Sequence, residues 1–200
     1  MIAVLTGDII NSRGKNTENW LVELKAKLSI YGKTPKDWEI FRGDSFQLLV
    51  PKELALESAL HIKSAIKQFE DLDVRIGIGV GEIDYESSKI TESNGSAFVH
   101  SGESFDGLKK QNMLLKSGNV EIDEAINLML ALLLLTANRW TSTVSSLIKL
   151  AIEHPDWTQN DLAKYSHKSQ GNISETLKRG GFEEIMKVNA YYKSQIHKVC

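Results

Sequence analysis

The sequence predicts an α+β protein in two parts, a ferredoxin-like βαββαβ domain over residues 1–118 and an all-α domain over residues 119–200. In the first part, short β-rich runs alternate with amphipathic stretches of helical spacing. Beyond Ser117-Gly118-Asn119, which we interpret as a linker, the apolar spacing is helical only. Near the C-terminus, two short capped helices around a compact turn are typical of a helix-turn-helix over residues 158–180.

Apolar spacing and turn residues define the elements of the first domain. Thr6-Gly7-Asp8 ends the first apolar run, and Gly43-Asp44 separates two β-rich runs as a hairpin turn does. The predicted strands are 2–5, 38–42, 45–50, 74–83 and 113–116, and the predicted helices are 18–31, 53–69 and 96–110. In the helix over 96–110 we expect Phe98, Phe105 and Leu108 to face inward.

One predicted strand, 74–83, carries glycine at alternate positions. Gly77, Gly79 and Gly81 leave one of its faces almost without side chains. Such a face allows a helix or a ligand to approach the sheet closely. The run is not a phosphate-binding loop, because it lacks the GxGxxG spacing and no helix follows it directly.

The second domain begins with a strongly apolar stretch over residues 121–139, which predicts a buried helix. Thr141 is the expected N-cap of a second helix that runs to His154. Pro155 ends that helix, because proline cannot continue the hydrogen-bond ladder.

Two short helices follow, and their caps are visible in the sequence. Thr158 and Asp161 match a capping box, in which the hydroxyl caps the helix and the carboxylate reaches back. Ser169 is the expected N-cap of the next helix, Gln170–Arg179, which stops at Gly180-Gly181. The apolar spacing in this last helix predicts that Ile173 and Leu177 are buried.

The outward edge of the last short helix carries the side chains that read DNA in helix-turn-helix proteins. Gln and Asn suit the bidentate edge of adenine, whereas Lys and Arg suit guanine or phosphate. Gly171 allows the helix N-terminus to come close to a DNA backbone. We therefore predict DNA contacts from Gln170, Gly171, Asn172, Ser174, Glu175, Lys178 and Arg179. An ordinary three-helix bundle with a polar outer face is the alternative.

Two aspartates at strand ends are candidate metal ligands. Asp8 ends the first strand and Asp44 lies at the hairpin tip, so we expect them to converge if the first strand lies beside the strand that enters the hairpin. Two adjacent carboxylates suit two Mg²⁺ ions in phosphoryl chemistry, and the backbone carbonyl of Ile9 is a further candidate ligand. Taken alone, Asp8 is equally a loop cap and Asp44 a turn former.

Together these motifs resemble the SatD family, over most of the chain and in a specific order. The matching segments are 7–13 (GDIINSR), 42–47 (RGDSFQ), 75–83 (RIGIGVGEI), 94–98 (NGSAF) and the helix-turn-helix with Trp157-Thr158-Gln159 and Ser169-Gln170. The N-terminal region of that family is similar in turn to class III nucleotide cyclases, whose first strand carries an Asp-Ile pair and whose hairpin carries Gly-Asp. The resemblance implies a homodimer and, if the cleft is kept, a nucleotide site between subunits with Mg²⁺ as cofactor.

The departures from the cyclase pattern bear on catalysis. Cyclases stabilise the transition state with an Asn and an Arg four residues apart on a late helix. Here the corresponding pair is Val99 and Glu103 or, one residue along, His100 and Ser104. Ile40 stands where the purine-selecting lysine is expected. We therefore expect no cyclase activity, and assign no catalytic residue.

The composition limits which cell compartment and which classes of partner are possible for this protein. The only cysteine is Cys200, so no disulfide forms within the chain, which fits a reducing cytoplasm. The apolar run over 128–135 is far shorter than the ~20 residues that span a bilayer. A net charge of -2 excludes a uniformly basic nucleic-acid coat protein. Residues 141–200 nevertheless carry eight Lys or Arg against six Asp or Glu.

Three functions remain open at this point. The first is a DNA-binding transcription regulator whose cyclase-like domain dimerises or senses a small ligand. The second is a metal-dependent enzyme that processes nucleotides, with C-terminal helices that only pack. The third is a protein-interaction module with neither activity.

Overall fold

The computed structural model describes residues 1–13 and 17–199, so Cys200 lies outside it, and within these residues the protein is an α+β structure. Its elements are β1 (Ile2–Ile10), α1 (Thr17–Tyr31), β2 (Trp38–Phe41), β3 (Ser45–Pro51), α2 (Ala55–Ile66), β4 (Asp73–Gly81), α3 (Ser96–Asp106), β5 (Met113–Lys116), α4 (Val120–Ala137), α5 (Ser142–Glu153), α6 (Gln159–Ser166), α7 (Gln170–Arg179) and α8 (Phe182–Ile196). The predicted strands and helices are all present, and α8 is an additional helix that the sequence did not predict. The expectation that the first strand ends at Thr6-Gly7-Asp8 is wrong, since β1 continues to Ile10 and pairs with β4 beyond Asp8. The apolar stretch over 121–139 forms α4, but only one face of this helix is buried. Of the helices in the described ranges, none has both the length and the apolar character of a bilayer-spanning segment.

The five strands form one mixed sheet in the order β2-β3-β1-β4-β5. β1 is antiparallel to both β3 and β4, and β5 runs parallel to β4. The expectation that β1 lies beside the strand entering the hairpin is therefore wrong, since its neighbour is β3, which leaves the hairpin. The reason is length: β3 pairs with β1 from Ile2↔Pro51 to Asp8↔Ser45, whereas the four residues of β2 would leave much of β1 without hydrogen-bond partners.

The glycine face of β4 packs directly against α3. A Cβ atom added to Gly79 would lie 2.1 Å from the backbone nitrogen of Ser101, and one added to Gly77 would lie 2.4 Å from that of Phe105. The predicted close approach to this strand is thus confirmed, and a helix makes it.

The face that α3 turns inward differs from the prediction, although Leu108, just beyond the end of the helix, is buried as predicted. It consists of Ala97, Ser101 and Ser104, while Phe98 and Phe105 are only half-buried. Only small side chains fit at this backbone separation, and their hydroxyls bond the strand: Ser101 Oγ donates to Gly77 O at 3.1 Å and Ser104 Oγ to Ile78 O at 3.2 Å.

Helix α2 connects the sheet to the helical part of the chain. Eleven of its 12 residues are buried, because it packs on α1 and the sheet as well as on α5 and α8. The apolar core is accordingly continuous from the sheet to α8. The predicted boundary at residue 118 remains a prediction, and the two parts share one core.

A buried ion pair lies beneath this layer. Lys63 on α2 has no exposed side-chain surface, and its Nζ lies 2.6 Å from Oδ1 of Asp73 at the start of β4. Lys67 Nζ, 3.3 Å away, and Asn112 Nδ2, 3.2 Å away, also contact the Asp73 carboxylate. Burial lowers the pKa of Lys63 from 10.5 to about 8, although the Asp73 carboxylate opposes this shift.

Candidate functional site

The helix pair α6–α7 is held by the caps that the sequence predicts. Thr158 Oγ accepts from Asp161 N at 3.3 Å, and Asp161 Oδ2 accepts from Thr158 N at 2.9 Å, which completes the capping box. Ser169 Oγ accepts from Asn172 N at 3.3 Å at the start of α7. Between the helices, His167 adopts the left-handed conformation (φ 53°, ψ 40°) and turns the chain sharply.

Helix α7 has one buried face and one exposed face. Ile173, Thr176 and Leu177 are buried, and Gly180, which follows the helix, accepts a hydrogen bond on its carbonyl from Trp140 Nε1 at 2.9 Å. Six of the seven predicted DNA-contact residues are exposed: Gln170, Gly171, Asn172, Glu175, Lys178 and Arg179. The seventh, Ser174, is half-buried, so its outward position is only partial.

Neither packing nor backbone conformation within the chain requires glycine at position 171. A Cβ atom at this position would meet no atom within 4 Å, and its φ is not one that demands glycine. Glycine inside a helix costs roughly 0.5–1 kcal/mol relative to alanine. The absence of a side chain therefore fits close approach by a group outside the molecule.

A residue that sequence reasoning missed orients Gln170. Gln170 Nε2 donates to Oε1 of Gln159 at 2.7 Å, which links the first residues of α7 and α6. This contact leaves the Gln170 carbonyl and its second N–H for an external partner, the two groups that an adenine edge requires. Gln159 and Gln170 occupy the same position in their helices, and that correspondence is the signal for Gln159.

Basic side chains outnumber acidic ones on this helix pair. Residues 158–181 contain Lys164, Lys168, Lys178 and Arg179 against Asp161 and Glu175. None of the four cations forms a salt bridge to any residue in 1–13 or 17–199. They are thus available for phosphate groups, although Glu175 lies on the same edge.

The second predicted site is an open cleft of about 840 Å³ at the end of β1. Asp8, Ile9 and Asp44 all line it, so the structure brings these three residues together. Ile9 N donates to Asp44 O at 3.1 Å, and Ser12 Oγ donates to Asp44 Oδ2 at 2.6 Å. Among the described residues, no group of three or more His, Cys, Asp or Glu side chains is placed to hold one metal ion.

Arg75 is the main residue of this cleft that sequence reasoning missed. Its Nε donates to Asp8 Oδ1 at 2.9 Å and its Nη2 to Asp8 Oδ2, so the guanidinium binds both carboxylate oxygens. The hydrogen bond to Asp8 raises the pKa of Arg75, which also lies 5.6 Å from the centre of the Phe105 ring. Only the sheet order reveals this pair, because Asp8 and Arg75 face each other on β1 and β4.

The charges of the cleft decide which ligand its residues fit. Mg²⁺ coordination by Asp8 competes with the Arg75 guanidinium, which already binds one lone pair on each carboxylate oxygen and repels a cation. Arg13, Lys109 and Asp71 also line the cleft, so three cations stand beside three carboxylates. Because Arg75 is already bound to Asp8, the residues present fit a ligand with phosphate groups better than a bare cation, and metal binding by Asp8, Asp44 and the Ile9 carbonyl remains a prediction.

Three of the four residues that were compared with the cyclase pattern make contacts within the fold. His100 Nδ1 lies 2.7 Å from Val80 O, Ser104 bonds Ile78 O, and Glu103 pairs with Lys116 Nζ at 2.5 Å. Val99 is exposed. Within the described ranges, none of these four residues lines the cleft.

Comparison with known proteins does not assign the chain to a group: no family model, no curated protein and no solved structure matches it.

Proposed function

We propose that this protein is a DNA-binding transcription regulator, in which α6 and α7 form a helix-turn-helix and α7 enters the major groove. The observation that carries the proposal is the exposed polar edge of α7, set on an apolar underside that anchors the helix to α5. Gly171, which no contact within the chain explains, and the unpaired charges of Lys178 and Arg179 support the same conclusion. An ordinary bundle requires neither feature.

Each part of this edge has a distinct role in the proposal. Gln170, held by Gln159, and Asn172 read base edges at the N-terminal end of α7, where the helix dipole also favours phosphate. Lys178 and Arg179 bind guanine or phosphate at the other end. Glu175 discriminates among sequences, because a carboxylate accepts from cytosine and repels phosphate.

Selection from a randomised pool of duplexes, followed by a salt titration, tests this function. We expect enrichment of one sequence and an affinity that falls steeply between about 50 and 200 mM salt, because bound phosphates release counterions. A protein that binds no duplex even at the lower salt concentration is not a DNA-binding regulator. That outcome would favour the interaction-module alternative.

The sheet domain supplies the ligand-sensing part of the proposal. The strand connectivity β1-α1-β2-β3-α2-β4 with order β2-β3-β1-β4 supports a ferredoxin-like fold of the nucleotide cyclase type, as in the proposed SatD membership. Arg13, Arg75 and Lys109 beside Asp8 and Asp44 suit a phosphate-bearing ligand such as a nucleotide with Mg²⁺. In this proposal the protein is a cytoplasmic regulator that binds the nucleotide and does not catalyse a reaction on it.

Calorimetry with nucleotides, with and without Mg²⁺, tests the sensor. We expect a binding isotherm for wild type, and loss of only the Mg²⁺-dependent component in Asp44→Asn, because the variant keeps Arg75 and loses one metal ligand. A panel of nucleotides that gives no heat would rule out the sensor. Turnover that disappears in Asp8→Asn would instead establish the nucleotide-processing enzyme.

A further inference from the structure

Helix α4 presents a second apolar face to the surface. Its buried face comprises Ile126, Leu130, Leu133, Leu134 and Ala137. On another side, Leu128, Leu132 and Leu135 are 65%, 60% and 63% exposed. Exposed leucines scattered singly are ordinary, whereas three on one helix face form a contiguous apolar strip.

The strip has the spacing of a helix–helix seam. Leu128, Leu132 and Leu135 are separated by four and three residues, which is the alternation of core positions in paired helices. Ala125, one step before Leu128 in the same register, is half-buried and small. We call this strip, Ala125 to Leu135, the α4 seam.

Charges at the two ends of the α4 seam indicate what covers it. Exposed Glu121 lies seven residues before Leu128, and exposed Arg139 lies seven residues after Leu132. Seven residues are close to two helical turns, so Glu121 continues the line of the seam within α4, while Arg139 lies in the turn two residues beyond the C-terminal end of the helix. One end of this line is acidic and the other is basic.

We propose that the α4 seam binds the α4 seam of a second copy of this chain, in an antiparallel pair about a twofold axis near residue 130. This register sets Leu128 opposite Leu132 of the partner subunit, and Ala125 opposite Leu135 of the partner subunit. Glu121 then meets Arg139 of the partner subunit at each end. A twofold contact requires such a self-complementary surface, whereas a parallel pair would place like charges together.

The surface beside the seam enlarges the contact. Eighteen residues of α4 extend about 27 Å, and a helix pair of that length alone falls short of the ~800 Å² per subunit typical of a stable interface. A groove of about 440 Å³ adjoins Leu132, with Met129, Ile185 and Val188 among its lining residues. In this arrangement a second copy that covers the seam also covers the apolar part of the groove and leaves its basic end open.

The α4 seam also bears on the proposed DNA reading, and this consequence rests on that function. Lys178 and Arg179 line the same groove, so the basic end of α7 lies beside the seam. Two copies joined there carry their α7 helices on either side of the twofold axis. A palindromic site, whose half-sites lie about 34 Å apart, is read by two helices related in this way.

Sedimentation equilibrium of the full chain without DNA tests the seam. We expect a dimer for wild type and for the control Val22→Glu, which places the same charge at an exposed position on α1. Leu132→Glu should raise the dimer dissociation constant at least about a hundredfold, because two carboxylates then lie at the centre of the contact. Circular dichroism confirms that each variant is folded.

A charge swap tests the antiparallel register. Glu121→Arg and Arg139→Glu should each weaken the dimer, and the double variant should recover it. A wild type that stays monomeric, or a Leu132→Glu variant that dimerises like wild type, would overturn the proposal. Failure of the double variant to recover would overturn the register. None of these results depends on DNA, whose binding is measured separately in the duplex titration.

Discussion

The double variant Lys178→Ala, Arg179→Ala is expected to lose at least about a hundredfold in affinity for its selected duplex and to remain folded. Both side chains are exposed and form no ion pair within the described residues, so their loss costs the fold little. On DNA, a base-contacting Arg contributes about 1–3 kcal/mol, and each lost phosphate contact removes released counterions. Fluorescence anisotropy over a range of salt concentrations measures both effects, and the salt dependence should become shallower.

The matched control removes the same charge elsewhere. Lys25 on α1 and Lys33 just after it are exposed and lie outside α6 and α7, and the variant Lys25→Ala, Lys33→Ala lowers the net charge equally. We expect it to bind DNA as wild type does. Equal losses in both double variants would mean that binding follows net charge and that α7 has no special role.

The second large effect concerns stability and the buried pair of Lys63 on α2 and Asp73 on β4. Asp73→Asn is expected to lower the free energy of unfolding by about 3–5 kcal/mol at neutral pH, because it leaves the fully buried Lys63 ammonium without its main counter-ion. The substitution keeps the size and most of the hydrogen-bonding capacity of the side chain. Urea denaturation measures the loss.

This loss should depend on pH in a definite direction. The pKa of Lys63 is about 8 in the folded protein, below its ordinary 10.5, so between these values the unfolded chain binds more protons. Stability contributed by this group therefore rises with pH through that window and is constant below it. Removing the Asp73 carboxylate lowers the Lys63 pKa further, so the deficit of the variant should shrink as the pH rises toward about 8 and stay constant above that value.

An exposed ion pair provides the control for this measurement. Lys36 and Glu86 lie 3.0 Å apart with more than half of each side chain exposed, so water screens their attraction. Glu86→Gln should change stability by no resolvable amount at any of these pH values. A stable Asp73→Asn variant, indistinguishable from Glu86→Gln, would show that Lys63 needs no counter-ion.

Local signals predicted the α7 region well. Ser169, Gly180-Gly181 and the spacing of Ile173 and Leu177 determine where the helix begins, where it ends and which face is buried, and all of these act within a few residues. For the same reason the capping box of α6 could be predicted in full. The exposed edge of α7 followed from these signals without knowledge of the rest of the chain.

The pairing between distant strands could not be predicted from the sequence. The neighbour of β1 depends on which distant strand satisfies most of its backbone groups, and no local pattern encodes that choice. The Arg75–Asp8 pair was missed as a result, since it exists only once β1 and β4 are adjacent. The inward face of α3 was predicted wrongly for a related reason: the glycines of β4 select small residues, although Phe98 and Phe105 are the more apolar.

The most direct test of a major-groove role for α7 is binding to the selected duplex with its purines replaced by 7-deaza analogues. These lose N7, an acceptor on the major-groove edge, while the minor groove and the phosphates are unchanged. We predict a loss of about tenfold or more for each contacted purine, and no such loss when inosine removes the minor-groove amino group of guanine. Unaltered affinity for the 7-deaza duplex, together with weakened binding to the inosine duplex, would contradict the account.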